Sequence, residues 1–233
     1  MDPGLAFGPL GLVPAIFLLY ITLGPYETKF EEKIVFLSFI GGMILGTVVL
    51  LLQGSFLASI PSYRTYWDIL LLMALLFSFF DQLAKLIILN LPRFHTDITT
   101  AIYGAALGLG LGTPIGALIF RGIDIISIQG AAALSLVLSF MLFQSATGAL
   151  IGLGVGRGKK WTYFFYSFIM GAIFWPLLLL SITYYILSIL VVLFAVGFYV
   201  YMHKVFLPPF LLDRKTRKKQ RRQKTKRKLL GKI

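Results

Sequence analysis

Cysteine is absent from the sequence, which removes disulfides, cysteine-ligated zinc and thiol nucleophiles together. Histidine occurs twice. His95 stands in a loop beside Arg93 and Asp97, and His203 falls near the end of the last apolar run. A catalytic metal needs about three protein ligands from His or carboxylates, and these two residues do not supply such a set. No metal and no cofactor is therefore expected. Charge is also scarce, at 13% of the 233 residues. Met1 to Pro3 has no basic stretch, and the first apolar run continues to Leu23, so no cleavable signal is expected.

What is present is apolar sequence, with 58% of residues hydrophobic. Several runs reach the roughly 20 residues that cross about 30 Å of hydrocarbon. The expected fold class is all-α, a polytopic membrane helix bundle of about seven spans. The spans are read at about 5–23, 34–52, 67–91, 98–120 and 131–155, the fifth preceded by a short interfacial helix from Ile123. Residues 161–207 are too long for one span and divide near Ser181–Tyr184. Pro9 and Pro14 interrupt the first span, which neighbouring groups in a membrane tolerate.

Charge orients this count. With the N-terminus outside, the inner loops hold Lys29, Lys33, Arg93, Arg157, Lys159 and Lys160, and Lys204 lies at the inner end of the last span. The outer loops hold only Arg64 and Arg121. This distribution follows the positive-inside rule and places the C-terminus in the cytoplasm. A bacterial or archaeal plasma membrane suits it. Tyr20, Tyr26, Trp67, Trp161 and Tyr166 lie near span ends, where interfacial aromatics gather.

Two regions follow: a membrane body over 1–210 and a basic, disordered tail over 211–233. The net charge is +13, and the tail holds twelve Lys or Arg with no acid from Arg214 onward. Its candidate anion-binding residues are Arg214, Lys215, Arg217, Lys218, Lys219, Arg221, Arg222, Lys224, Lys226, Arg227 and Lys228. Anionic lipid attracts such clusters at about 1 kcal/mol per basic residue. Ribosomal RNA attracts them through phosphate neutralisation, without base reading. No aromatic residue offers a stacking platform for single-stranded bases. Leu207-Pro208-Pro209-Phe210 ends the last helix and directs the arm away from the surface, which favours a ribosomal partner.

Within the body, Asp81 and Lys85 stand in the middle of the third apolar run, with Gln82 beside them. Ionisable groups inside a span are costly, and each is a candidate functional residue. The plainer alternative is an ion pair, since residues four apart share a helix face. Gln144, Ser145 and Thr147 add polar groups to the fifth span. Glycines recur four apart, with Gly104, Gly108 and Gly112 answered by Gly148, Gly152 and Gly156. Such stripes let helices approach closely, and packing is the expected role. The segment 152–160 does not fit a phosphate loop, because the glycine spacing fails, no Ser or Thr follows Lys159, and no strand precedes it.

Taken in order, these motifs resemble the PrsW-type intramembrane proteases, distant relatives of the CAAX-prenyl endopeptidases. That family carries EExxK on one helix, YGxxxGLGFAxxEN on the next and HxxxTG on a later one, after an acidic turn. Here the order is ETKFEEK before the second span, DQLAK at 81–85, YGAALGLGLGTPIG at 103–116 and FQSATGALIG at 143–152. The resemblance covers about residues 25–180. It departs at the chemistry: the paired glutamates are Asp81 and Gln82, the later Glu and Asn are Ile115 and Gly116, and the His is Phe143. The implied protein is a non-catalytic relative with no catalytic residue. Its function would be as a scaffold or chaperone in membrane-protein biogenesis. Spans four and five would form a partly polar groove for transmembrane segments of other proteins. Expected partners are membrane lipid, the ribosome and the insertion machinery. An active intramembrane protease using Asp81 is the alternative, and a transporter with Asp81 as a proton or ion site is the third reading.

Overall fold

The computed structural model describes residues 3–24, 26, 30–59, 67–94, 99–115 and 127–207. The basic arm, Arg64, Arg121, Lys29, His95, Asp97, Gly116 and the segment around Ile123 lie outside the described residues.

Among the described residues the chain forms seven α-helices: α1 (Pro3–Leu23), α2 (Glu32–Ser59), α3 (Trp67–Leu89), α4 (Thr100–Gly112), α5 (Ile128–Gly156), α6 (Lys160–Thr183) and α7 (Ser188–Val200). Helices are what long apolar runs must form in hydrocarbon, because every backbone N–H and C=O then finds its partner inside the segment. Among the described residues, five segments are long and apolar enough to cross a membrane: α2, α3, α5, α6 and Tyr185–Phe206, which contains α7. The fourth helix is shorter than its apolar run implied. Its 13 residues rise only about 20 Å. The long run 161–207 breaks after Thr183, close to the expected division, and a 3-10 turn at Tyr185–Leu187 leads into α7.

Local sequence explains several ends. Pro92 opens a 3-10 turn, Pro92–Phe94, beyond α3. Ser127 caps α5, its hydroxyl accepting the Gly130 N–H at 3.0 Å. At the other end of α5, Gly158 takes φ +71°. The Lys159 N–H then reaches the Gly154 carbonyl at 2.8 Å, and the Gly158 N–H reaches Val155 at 3.0 Å. This is a Schellman cap, so the glycine-rich 152–158 segment closes a helix.

The helices alternate in direction. Tyr26, after α1, donates to the His203 carbonyl at the end of the chain's last helix. The Glu31 N–H, before α2, donates to Tyr103 on the first turn of α4. Lys160 at the start of α6 donates to Asn90, just past α3. One end of the bundle therefore gathers Lys33, Arg157, Lys159, Lys160 and Lys204, as the alternating loop charges implied.

At the centre stands α4, every one of whose 13 residues is buried. It lies antiparallel to α5, and glycine makes the approach possible. A Cβ on Gly104 would strike the Gly148 carbonyl, and one on Gly148 would strike Gly104. Gly108 lies equally close to the backbone of Gln144, and Gly152 to that of Thr100. Gly112 meets Met141. Gly156 sits at the end of α5, where the cap begins. The opposite side of α4 packs as tightly on α2, through Gly42 against Leu107, Gly46 against Leu111, and Gly110 against Phe39. The outer surface is apolar: Phe17, Phe36, Leu51, Trp67, Ile87 and Leu193 are all exposed. Large exposed apolar side chains on α1, α2, α3, α6 and α7 are what lipid-facing helices require, and the protein is membrane-embedded in this sense.

Candidate functional site: a buried Asp81–Lys85 network

Asp81, Gln82 and Lys85 lie on the buried side of α3 and are fully enclosed. The Asp81 carboxylate accepts three hydrogen bonds from three other helices. Gln53 of α2 donates to Oδ1 at 2.9 Å. Gln144 of α5 and Trp175 of α6 donate to Oδ2, at 2.8 and 3.1 Å. The Lys85 ammonium in turn donates to Gln82 at 3.1 Å, to Thr147 at 2.6 Å and to the Gln144 amide oxygen. An ammonium has three protons, and all three are placed.

The expected ion pair is thus bridged. Gln144 presents its amide nitrogen to the carboxylate and its oxygen to the ammonium. Only this orientation is possible, since an ionised carboxylate accepts and an ammonium donates. A glutamine between the charges passes polarisation from one to the other and supplies hydrogen bonds that desolvated ions need. Thr147 completes the arrangement by donating to the Phe143 carbonyl at 3.1 Å while accepting from Lys85. The Gln82 amide nitrogen has no hydrogen-bond partner, and neither has the Ser145 hydroxyl elsewhere on α5.

Of the polar set of the fifth span, Gln144 and Thr147 come together with Asp81 and Lys85. The glycine seam beside it is filled by helix-on-helix contact, and Gln144, Ser145 and Thr147 are fully buried. The open polar groove expected between spans four and five is closed here, because α4 itself occupies it. Two members of the network were not anticipated. Gln53 stands just past the apolar run read as span two, which ended at Leu52, and so escaped notice. Trp175 had no signal either, because Trp is as common at membrane interfaces as in buried polar contacts.

Apolar packing surrounds the network. Phe143 stacks on Phe174 with ring centroids 4.0 Å apart and planes 5° from parallel. Phe77 meets Trp175 edge-on at 5.2 Å, fixing the indole whose N–H reaches Asp81. A cavity of about 10 Å³, room for one water, touches Asp81 and Gln53 and is walled by Gly46, Leu111, Ile115 and Phe140. Among the described residues no three His, Asp or Glu side chains gather as metal ligands would. Searches against family models, curated proteins and solved structures return no match to this chain.

Proposed function

We propose that the protein is a non-catalytic membrane scaffold, PrsW-like in its motif order, that serves membrane-protein biogenesis and docks ribosomal RNA through its basic arm. The observation that carries the non-catalytic part is the commitment of Asp81. Three donors from three helices occupy most of its lone-pair sites, and Lys85 is equally engaged. A general base must reach a substrate or its attacking water, and these contacts aim the group at its own scaffold. The position that would carry the family's His is Phe143, locked in a ring stack.

With the glycine seam filled, client transmembrane segments would meet the exposed apolar faces of α2 and the last helix. The arm, with twelve basic residues and no acid, would hold the protein beside a source of new chain. Counterion release makes such contact steeply salt-dependent. Co-sedimentation with ribosomes over a salt series, comparing the full chain with a truncation at Asp213, tests this reading. Arm-dependent binding that collapses between about 50 and 200 mM salt is expected. Equal sedimentation of both forms would remove the ribosome and leave the arm to lipid or topology.

One observation favours a second reading, hydrolysis by Asp81: the water-sized cavity against its carboxylate. That reading requires Asp81→Asn to abolish cleavage of a membrane substrate while the bundle still folds.

A further inference from the structure

A second polar cluster lies at the basic end of the bundle, apart from Asp81. The last helix changes winding there, from α to a π-helical turn over Tyr201–Phe206. Such turns are rare and recur at functional positions, because the wider winding displaces side chains from the usual register. This one carries His203. The residue as a whole is half-buried, yet both ring nitrogens are enclosed and neither has a hydrogen-bond partner. The ring lies against Tyr199, centroids 4.4 Å apart.

The surroundings are built for hydrogen bonding. Thr22 of α1 donates to the Leu18 carbonyl at 2.6 Å, so in its 2.6 Å contact with Tyr199 it must be the acceptor. The Thr22 oxygen keeps one lone pair after these two bonds. Tyr26 donates to the His203 carbonyl at 3.2 Å. Thr22, Tyr26 and His203 together line a cavity of about 10 Å³, closed by Leu23, Ala101, Ile102, Ala105 and Leu207. A neutral imidazole has one donor and one acceptor, and an unsatisfied buried polar group costs about 1–3 kcal/mol. A water needs a cavity of roughly this size and two to four polar partners.

We propose that this cavity is a binding site for a single water molecule that joins the His203 ring to the Thr22 hydroxyl, clamping the first helix onto the last at the root of the basic arm. The water donates to the Thr22 lone pair and meets one ring nitrogen as donor or acceptor, according to the tautomer. It completes a clamp already begun by the Thr22–Tyr199 and Tyr26–His203 contacts, all of which tie residues 22–26 to residues 199–203.

The test is NMR of the full chain in lipid bilayers, with nitrogen-15 in the histidine rings. His203 should show a ring contact to a long-lived water. The Thr22→Val variant should lose that contact and speed amide exchange over Tyr201–Phe206 by about fivefold, the worth of one hydrogen bond. An unchanged Trp175 indole resonance shows that the variant's bundle is intact. A ring bonded directly to a protein group, a ring with no water contact, or a contact that survives Thr22→Val would each overturn the proposal. If Thr22→Val disturbs Trp175, Thr22→Ser gives the decision. It keeps the hydroxyl that the water needs, so loss of the ring–water contact there, with the Trp175 resonance unchanged, would count against the site.

Discussion

The two buried polar clusters differ in how they are closed. Around Asp81 and Lys85 the charges are met by side chains from four helices, and the central glutamine serves both. Around His203 the protein brings hydroxyls to the cavity but leaves both ring nitrogens without a bond. Charged groups in hydrocarbon must be compensated by the protein itself, and at the first cluster its own side chains do so. A neutral ring at the bundle end can leave its completion to a small molecule. Each cluster borders a cavity of about 10 Å³, but at the first the charges are already met by side chains, whereas at the second both ring nitrogens lack a bond.

Substitutions can break or sharpen this contrast. The largest effect is expected from Lys85→Leu, which leaves the Asp81 carboxylate buried without its counter-charge. Breaking one partner of a buried pair costs about 3–5 kcal/mol. Reversible unfolding in mixed micelles should record it. Trp175→Phe keeps the ring but removes one donor to the carboxylate, and a hydrogen bond to a charged group is worth about 1.5–3 kcal/mol. The same unfolding assay should place it below Lys85→Leu.

The glycine seam supplies the third comparison. Gly104→Ala forces α4 from α5, because the new Cβ meets the Gly148 carbonyl, and overpacking costs about 1–3 kcal/mol. At Gly197 of α7 a Cβ meets nothing within 4 Å. There Gly197→Ala should be neutral or stabilising by up to about 1 kcal/mol, from helix propensity alone. Equal effects at the two glycines would contradict the packing account. The smallest change is expected from His203→Phe. Replacing a polar ring by an apolar one of similar shape removes the unsatisfied atoms as well as their bonds, so a shift under about 1 kcal/mol is expected.

Much of the architecture was legible because hydrocarbon leaves the backbone few options. Apolar run length located the long helices, and the break at Thr183 fell within the apolar stretch where length demanded one. Loop charge anticipated which helix ends meet. The glycine repeat pointed to the α4–α5 contact, although antiparallel pairing sets Gly104 against Gly148 and Gly108 against Gln144. The α2–α4 contact was missed, and the reason is physical. Helices that are apolar on all sides carry no stripe to tell a lipid-facing side from a packed one. For the same reason Asp81 and Lys85 could be recognised as neighbours, four apart, while Gln144 between them depends on a helix 59 residues away from Lys85. Gln53 and Trp175 join the site only through tertiary packing. The cavity at His203 lies beside a change in helix winding that composition does not announce.

The central claim is that Asp81 and Lys85 form one structural unit through Gln144. It is tested most directly by a double-mutant cycle of unfolding free energies for Asp81→Leu, Lys85→Leu and the pair. Residues in one network couple by about 0.5–3 kcal/mol, so the double variant should lose clearly less stability than the two singles summed. Strict additivity, or an Asp81→Leu protein as stable as the parent, would contradict the account and return Asp81 to the search for chemistry.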